Sequence, residues 1–360
     1  MDSELLSLNE IVNAIVPIDS EWIDRAKERT MQLVMPTRAL GRLHDISERL
    51  CGIQKTLSPS IASKAVLVMA GDHGAVSDGV SAYPQEVTGA MVQTFLAGGA
   101  GINAISRHVK ADVWVVDLGI IPNLDPRELG GGDRFIVKKI ANGTANLVKG
   151  PAMTRDDAEK AILSGFQVAS QLFERGVEII GTGDMGIGNT TPSAAIGAVV
   201  TGTSLEEMVG RGTGVDDEGL VRKRDAIKQA IAVNQPDKTD GLDVLAKVGG
   251  FEIGGIAGCV LAAAYYSRAV VIDGFISTAG ALVAHTLCPT VVDYMFSGHR
   301  SEESGHGAML RYLGLDPILD LGMRLGEGTG GALAMSIIEG AIGIFRDVMT
   351  FSEAGVPDKD

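Results

Sequence analysis

The run Ala65-Val66-Leu67-Val68-Met69-Ala70 leads straight into Gly71-Asp72-His73-Gly74, and this junction decides the fold. Six apolar residues without polar alternation suit a strand buried on both faces of a parallel sheet. The abrupt change to glycine, acid and imidazole marks the carboxyl end of that strand. The same pattern recurs. Val113-Trp114-Val115-Val116-Asp117 ends in Leu118-Gly119, Glu178-Ile179-Ile180 runs into Gly181-Thr182-Gly183, and Ala269-Val270-Val271-Ile272 ends in Asp273-Gly274. Helical patterns over 86–108, 155–175, 190–200, 218–233 and 253–267 separate these runs. The alternation predicts an α/β protein with helices on both faces of a parallel sheet. Ligands of such sheets bind beyond the carboxyl ends of the strands, which is where the polar, glycine-rich segments fall.

Outward from this centre, residues 1–55 read as helices. Ser20 is placed to cap a helix that runs through Leu33, Pro36 interrupts, and a second amphipathic stretch covers 40–53. The stretch from Gly326 to Phe345 reads as a further helix. Residues 122–153 and 287–300 read as long loops.

Composition narrows the function classes. The chain has 360 residues, a net charge of −14 and 45% hydrophobic residues, enough for a large core. The acidic balance argues against a general nucleic-acid binder, but one lysine and a few N–H groups suffice for a local phosphate pocket. Cys51, Cys259 and Cys288 form no CxxC pair and read as core residues rather than a disulfide or zinc framework. Met1-Asp2-Ser3-Glu4 lacks a basic leader, and Arg268 and Asp273 break the apolar runs. The expectation is a cytoplasmic protein. Glycine is frequent, at 47 residues, which suggests many close backbone approaches.

Three segments could carry chemistry. Gly181-Thr182-Gly183-Asp184-Met185-Gly186-Ile187-Gly188-Asn189-Thr190-Thr191-Pro192 follows a strand and opens a helix. It matches G-x-G-x-x-G, so a dinucleotide site is one reading. Its Asn-Thr-Thr-Pro end suits a phosphate monoester, and a capped structural turn is the bland alternative. Glu206 and Glu207 follow Ser204 and look like the first turn of a helix, which weakens the dinucleotide reading. Around Asp72 and His73, with Ser81, Tyr83 and Gln85, no third metal ligand is evident, so no metal is expected. Ser297-Gly298-His299-Arg300-Ser301 reads as a solvated loop on composition alone. In Leu325-Gly326-Glu327-Gly328, glycines let a substrate reach Glu327, while an acid at a helix start is often only structural. Lys223, within Arg222-Lys223-Arg224, reads as part of a solvated face.

Taken together, six motifs resemble one family, the nicotinate-nucleotide–dimethylbenzimidazole phosphoribosyltransferases of cobalamin lower-ligand assembly. They are Gly71–Gly74, Gly79–Thr88, Met185–Pro192, Gly210–Gly214, Ser297–Ser301 and Arg324–Gly330. They occur in family order and span nearly the whole chain. The resemblance implies a Rossmann-like parallel sheet, residues 56–326, with a small helical domain built from residues 1–55 and about 327–360. It implies a homodimer with no cofactor. The implied reaction moves the phosphoribosyl group of nicotinate mononucleotide to 5,6-dimethylbenzimidazole. Glu327 matches the family's general base. Gly186, Ile187, Gly188, Asn189, Thr190, Thr191, Gly212, Lys223 and Ser301 match the phosphate-binding positions, and Ser81, Tyr83, Gln85 and Ala90 the base pocket.

The chain departs from the family pattern at three places. Asp184 stands where glutamate is common and retracts a secondary acid by one methylene. Pro36-Thr37-Arg38-Ala39-Leu40-Gly41 replaces a Pro-Thr-Gly-Ser-Leu-Gly pattern. Ala90 stands where many members have glutamine, which implies a changed preference for the accepting base. The rival readings are a different azole or phenol acceptor and a nucleotide-binding paralogue without catalysis.

Overall fold

The computed structural model describes residues 6–357 apart from 128, 130 and 213. The acidic start at residues 1–4, Thr213 of the 210–214 motif and the last three residues of the proposed terminal domain lie outside the described residues.

Seven strands form one sheet: β1 (Lys64–Gly71), β2 (Ala111–Gly119), β3 (Phe135–Val137), β4 (Ile179–Met185), β5 (Ala269–Ile272), β6 (Met295–Ser301) and β7 (Pro317–Met323). Their order is β3-β2-β1-β4-β5-β6-β7, and every neighbouring pair is parallel. The four apolar runs are β1, β2, β4 and β5. β1 is buried along its whole length, as an unalternating run requires. The strand order reverses between β1 and β4, which makes their carboxyl ends the topological switch point, where α/β sheets hold ligands.

Several boundaries differ from the sequence expectation. The stretch 86–108 is two helices, Val87–Leu96 and Gly101–Val109. The chain breaks between them at Gly98, whose φ of 77° lies in the left-handed region. The long loop expected over 122–153 contains β3, and that over 287–300 contains a 3-10 turn and most of β6. The helix Ser20–Gln32 is capped by Asp19, whose carboxylate accepts the Glu21 N–H, so Ser20 is its first residue rather than its cap. The other boundaries agree closely, and Ser204 caps the short helix carrying Glu206 and Glu207.

One continuous core joins the sheet to the helices on both faces. The terminal helices share it through Leu8, Ile11, Leu50, Ile53, Met335 and Ile338. A small separate cluster of Ala26, Cys51 and Phe345 ties the two ends of the chain together, as does the bridge between Leu33 and Thr350. All three cysteines are free and buried. Among the described residues no helix is long and apolar enough to cross a membrane.

Candidate active site

A cavity of about 400 Å³ opens at the carboxyl ends of β4, β5 and β6, beside the switch point. Its floor is the turn that ends β4. Gly181 and Gly183 lie inside β4 and not in the turn. A Cβ on Gly183 would collide with the backbone carbonyl of Glu327, so this glycine lets the 326–328 turn press onto the strand. The G-x-G-x-x-G match therefore serves strand packing, and the dinucleotide reading fails on geometry. The turn proper runs from Gly186 to Asn189 into the helix Thr190–Thr201, and Asn189 and Thr190 at the helix start line the cavity.

Glu327 sits between Gly326 and Gly328 and is itself left-handed, with φ 62°. A non-glycine residue in that region is strained and persists only where its surroundings fix it. Asp273, at the end of β5 and fully buried, supplies much of that fixing. Its Oδ2 accepts the Gly328 N–H at 3.2 Å and its Oδ1 the Gly331 N–H at 2.8 Å. The Glu327 carboxylate does not cap the helix that follows it, Thr329–Asp347. Instead, Oε2 accepts the Ile102 N–H at 3.0 Å, at the start of the helix Gly101–Val109. Burial pushes the Glu327 carboxyl up, the Ile102 N–H pulls it down, and the charge of Asp273 adds to the rise.

Asp184 lies against Gly326 and accepts the Asn189 side-chain N–H at 2.9 Å. Burial first, then Asp273, push its carboxyl up to about 8, while Asn189 pulls it down. At neutral pH it carries its proton. Nearby, His73 Nε2 lies 2.9 Å from Glu252 Oε1, both fully buried behind the Gly186 turn. Burial lowers the His73 pKa, but Glu252 and Asp72 outweigh it, so the imidazole ends above its ordinary value. Asp72 ties β1 to the end of β2 by accepting the Ile121 N–H at 2.7 Å. Among the described residues no cluster of three or more His, Cys, Asp or Glu could hold a metal ion.

The far end of the cavity is polar. Lys223 is 0% exposed, which corrects the expectation of a solvated face. Its Nζ donates to Thr190 Oγ1 at 2.7 Å and to the Gly210 carbonyl at 3.2 Å, and burial lowers its pKa to about 8. Gly212, with φ 55°, passes so close that a Cβ would stand 3.0 Å from Nζ. Ser301 is not in a solvated loop but ends the buried strand β6. Its N–H donates to His306 Nδ1 at 2.9 Å. Thr278 holds the other ring nitrogen at 2.9 Å, and burial drops the His306 pKa to about 3, so the ring stays neutral.

The cavity thus brings together Tyr83, Asp184, Gly186, Ile187, Asn189, Thr190, Gly212, Ser301 and Glu327. Gly188 and Thr191 lie behind the turn, and Lys223 reaches the site through Thr190. Ser81 accepts the Tyr83 N–H, and Gln85 donates to the His73 carbonyl. Ala90 is exposed beside Val87 and Met91, which do line the cavity at helical spacing. Tyr83 is 53% exposed at the mouth rather than packed. Asp273, His299, Glu303 and Arg324 also belong to the site. The Asp273-Gly274 strand end was the sequence signal for the first of them. Glu303 gave none beyond following Ser301.

A doubly wound sheet with a cavity beside its switch point, lined by a carboxylate and backed by a buried lysine, defines an α/β protein with a small-molecule site. The chain belongs to a phosphoribosyltransferase family, whose model matches residues 15–356. A relative from Geobacter sulfurreducens, named nicotinate-nucleotide–dimethylbenzimidazole phosphoribosyltransferase, is 49% identical over 353 residues, 98% of this chain and 99% of the relative. One of the same name from Desulfotalea psychrophila is 50% identical over 355 residues, again 98% and 99%. The crystal structure of the enzyme so named from Thermus thermophilus superposes with a TM-score of 0.89 at 43% identity, covering 95% of this chain and all of that one.

Proposed function

We propose that the chain transfers the phosphoribosyl group of nicotinate mononucleotide to 5,6-dimethylbenzimidazole, giving α-ribazole 5′-phosphate and nicotinate for cobalamin nucleotide-loop assembly. The observation that carries the reading is Glu327. A strained, buried carboxylate lines a cavity whose other end holds Thr190, Gly212 and Ser301 in front of the buried Lys223.

In this reading the 5′-phosphate takes the Thr190, Gly212 and Ser301 end, with Lys223 behind it, and the rest of the 186–191 turn shapes that end. The accepting base lies toward Tyr83, with Ser81, Gln85 and Ala90 forming its surround. One azole nitrogen attacks the ribose C1′ from the face opposite nicotinate. The C1′–nicotinate bond breaks and its electron pair returns to the pyridinium nitrogen, so the leaving group departs neutral at that atom and needs no acid. Glu327 takes the proton from the other azole nitrogen, which makes the attacking one more nucleophilic. Protonated Asp184 can donate a hydrogen bond next to Glu327 without adding a second negative charge. Holding the two reactants in register supplies much of the remaining acceleration.

The test is product formation from nicotinate mononucleotide and 5,6-dimethylbenzimidazole, with the wild-type chain beside Glu327→Gln. The expected result is the α-nucleotide from the wild type and a steep fall in the variant. Equal rates would remove Glu327 from its role, and no product from the wild type would remove the reaction.

The same proposal includes a small domain formed by residues 1–55 and about 327–360 beside a catalytic domain of residues 56–326. The Leu33–Thr350 bridge and the Ala26, Cys51 and Phe345 cluster support that grouping. It also includes a cytoplasmic location, to which three free, buried thiols are suited, and a homodimer. Light scattering should give twice the chain mass of 37.5 kDa, and a single-chain mass would dismiss the dimer.

A further inference from the structure

Glu303 is absent from the phosphate-binding set above, yet its carboxylate stands in the midst of that set. The residue follows Ser301 and lies on a wall shared by the central cavity and a second, open cavity of about 610 Å³. Lys223, Arg324 and the Gly212 N–H all draw on its charge. Its Oε2 presses against Gly210, where no Cβ would fit, and is buried without a hydrogen-bond partner. Lys223 spends two of its three N–H donors on Thr190 and the Gly210 carbonyl, which leaves one for an anion.

These donors are the kind a phosphate monoester needs: a backbone N–H, an ammonium and a guanidinium. A phosphate and a carboxylate cannot share them. Two like charges a few ångström apart repel, the more so out of water. We propose that Glu303 is an internal competitor for the phosphate end of the cavity: its carboxylate stands beside these donors with Oε2 unpartnered and must move aside when the 5′-phosphate of the nucleotide binds. The second cavity is where it goes. That cavity is lined by Arg211, Arg224 and Arg324, and the buried Nε of Arg224 has no partner. Arg324 faces both cavities, so the carboxylate keeps that cation and gains Arg211 and Arg224 as it moves. Burial is the largest influence on Glu303 and leaves its carboxyl above the ordinary value in spite of Lys223, Arg324 and the Gly212 N–H, so its charge is incompletely compensated where it stands. Weakly held anions would be excluded by the same competition, and a nucleoside lacking the phosphate would leave Glu303 where it is. The inference rests on Gly212, Lys223 and Ser301 being the phosphate end.

The test is calorimetric binding of nicotinate mononucleotide, nicotinate riboside and inorganic phosphate to the full chain, as wild type, Glu303→Gln, Glu303→Ala and Lys223→Met. Removing the competing charge should tighten mononucleotide and inorganic phosphate in both Glu303 variants, roughly tenfold for one close like-charge pair. Nicotinate riboside should bind all four proteins alike. Weaker or unchanged mononucleotide binding by the Glu303 variants overturns the competitor. If the wild type still prefers mononucleotide to riboside and Lys223→Met loses that preference, the phosphate end stands without it. A wild type that does not distinguish the two ligands removes the phosphate end, and the competitor with it. The isosteric glutamine variant guards against a fold lost to the cavity left by alanine.

Discussion

At the scale of single residues, Glu327 carries the sharpest consequence. A general base works only when ionised, and this carboxyl is raised by burial and by Asp273 against the pull of the Ile102 N–H. The acid limb of kcat/KM should therefore rise through a midpoint above the ordinary glutamate value of about 4.3. In Glu327→Gln the limb should flatten and the rate drop by roughly 10²–10⁴-fold, the usual worth of a positioned base. A limb that persists unchanged in the variant would belong to another group. Lys223 marks the limit of single-residue reasoning. Arg222-Lys223-Arg224 has the composition of a solvated face, and only the turn of the helix Asp217–Asn234 sends its central side chain inward to Thr190. A charge run carries no information about which of its members faces the core.

At the scale of elements, the contact between β4 and the 326–328 turn decides where Glu327, the proposed base, stands. Gly183 permits that contact, since a Cβ there would strike the Glu327 carbonyl and stand 2.9 Å from the Gly328 N. Both neighbours are backbone, so no side chain can swing away. Gly183→Ala should cost about 1–3 kcal/mol in chemical denaturation, the usual range for overpacking a tight site. It should cost more in kcat than in nucleotide binding, because the displaced turn carries the base while the phosphate end is untouched. A variant with wild-type kcat would show the contact to be incidental.

The elements legible in the sequence were those with unbroken periodicity. β1, β2, β4 and β5 announce themselves as apolar runs, and the helix Arg155–Glu174 matches its pattern almost to the residue. β3 and β7 sit at the two edges of the sheet. The first has three residues, and the second opens on Pro317, which a central strand would not accept. β6 escaped for another reason. Its Ser297-Gly298-His299-Arg300-Ser301 end is polar because it builds the cavity, so function there overrides the hydrophobic signature of a buried strand. The motifs that mark the family were legible as a set. The buried carboxylate that fixes Glu327, Asp273, was visible only as a strand end.

At the scale of the whole molecule, the fold gathers acids that the sequence keeps far apart. Asp184 from β4, Asp273 after β5, Glu252 from the helix Phe251–Tyr265 and Glu327 from the last turn converge in a protein already at −14. Such a gathering has a thermodynamic signature. Asp184 is raised to about 8 in the folded chain, chiefly by burial and then by Asp273, and returns to about 3.9 when unfolded. Between those values the folded state binds the extra proton, so stability falls as pH rises. The contribution of protonated Asp184 is fully present below about pH 4 and is lost as pH passes through about 8. Asp184→Asn keeps the shape and an acceptor for Asn189 but cannot ionise. Glu327 and Asp273 are raised as well and slope the same way, so the comparison must be between variant and wild type rather than within one curve. The melting temperature of Asp184→Asn minus that of the wild type should climb from about pH 5 to about pH 8 and level off above it. Parallel curves across that window would mean that Asp184 is ionised in the native state and that water or a counter-charge reaches the switch point.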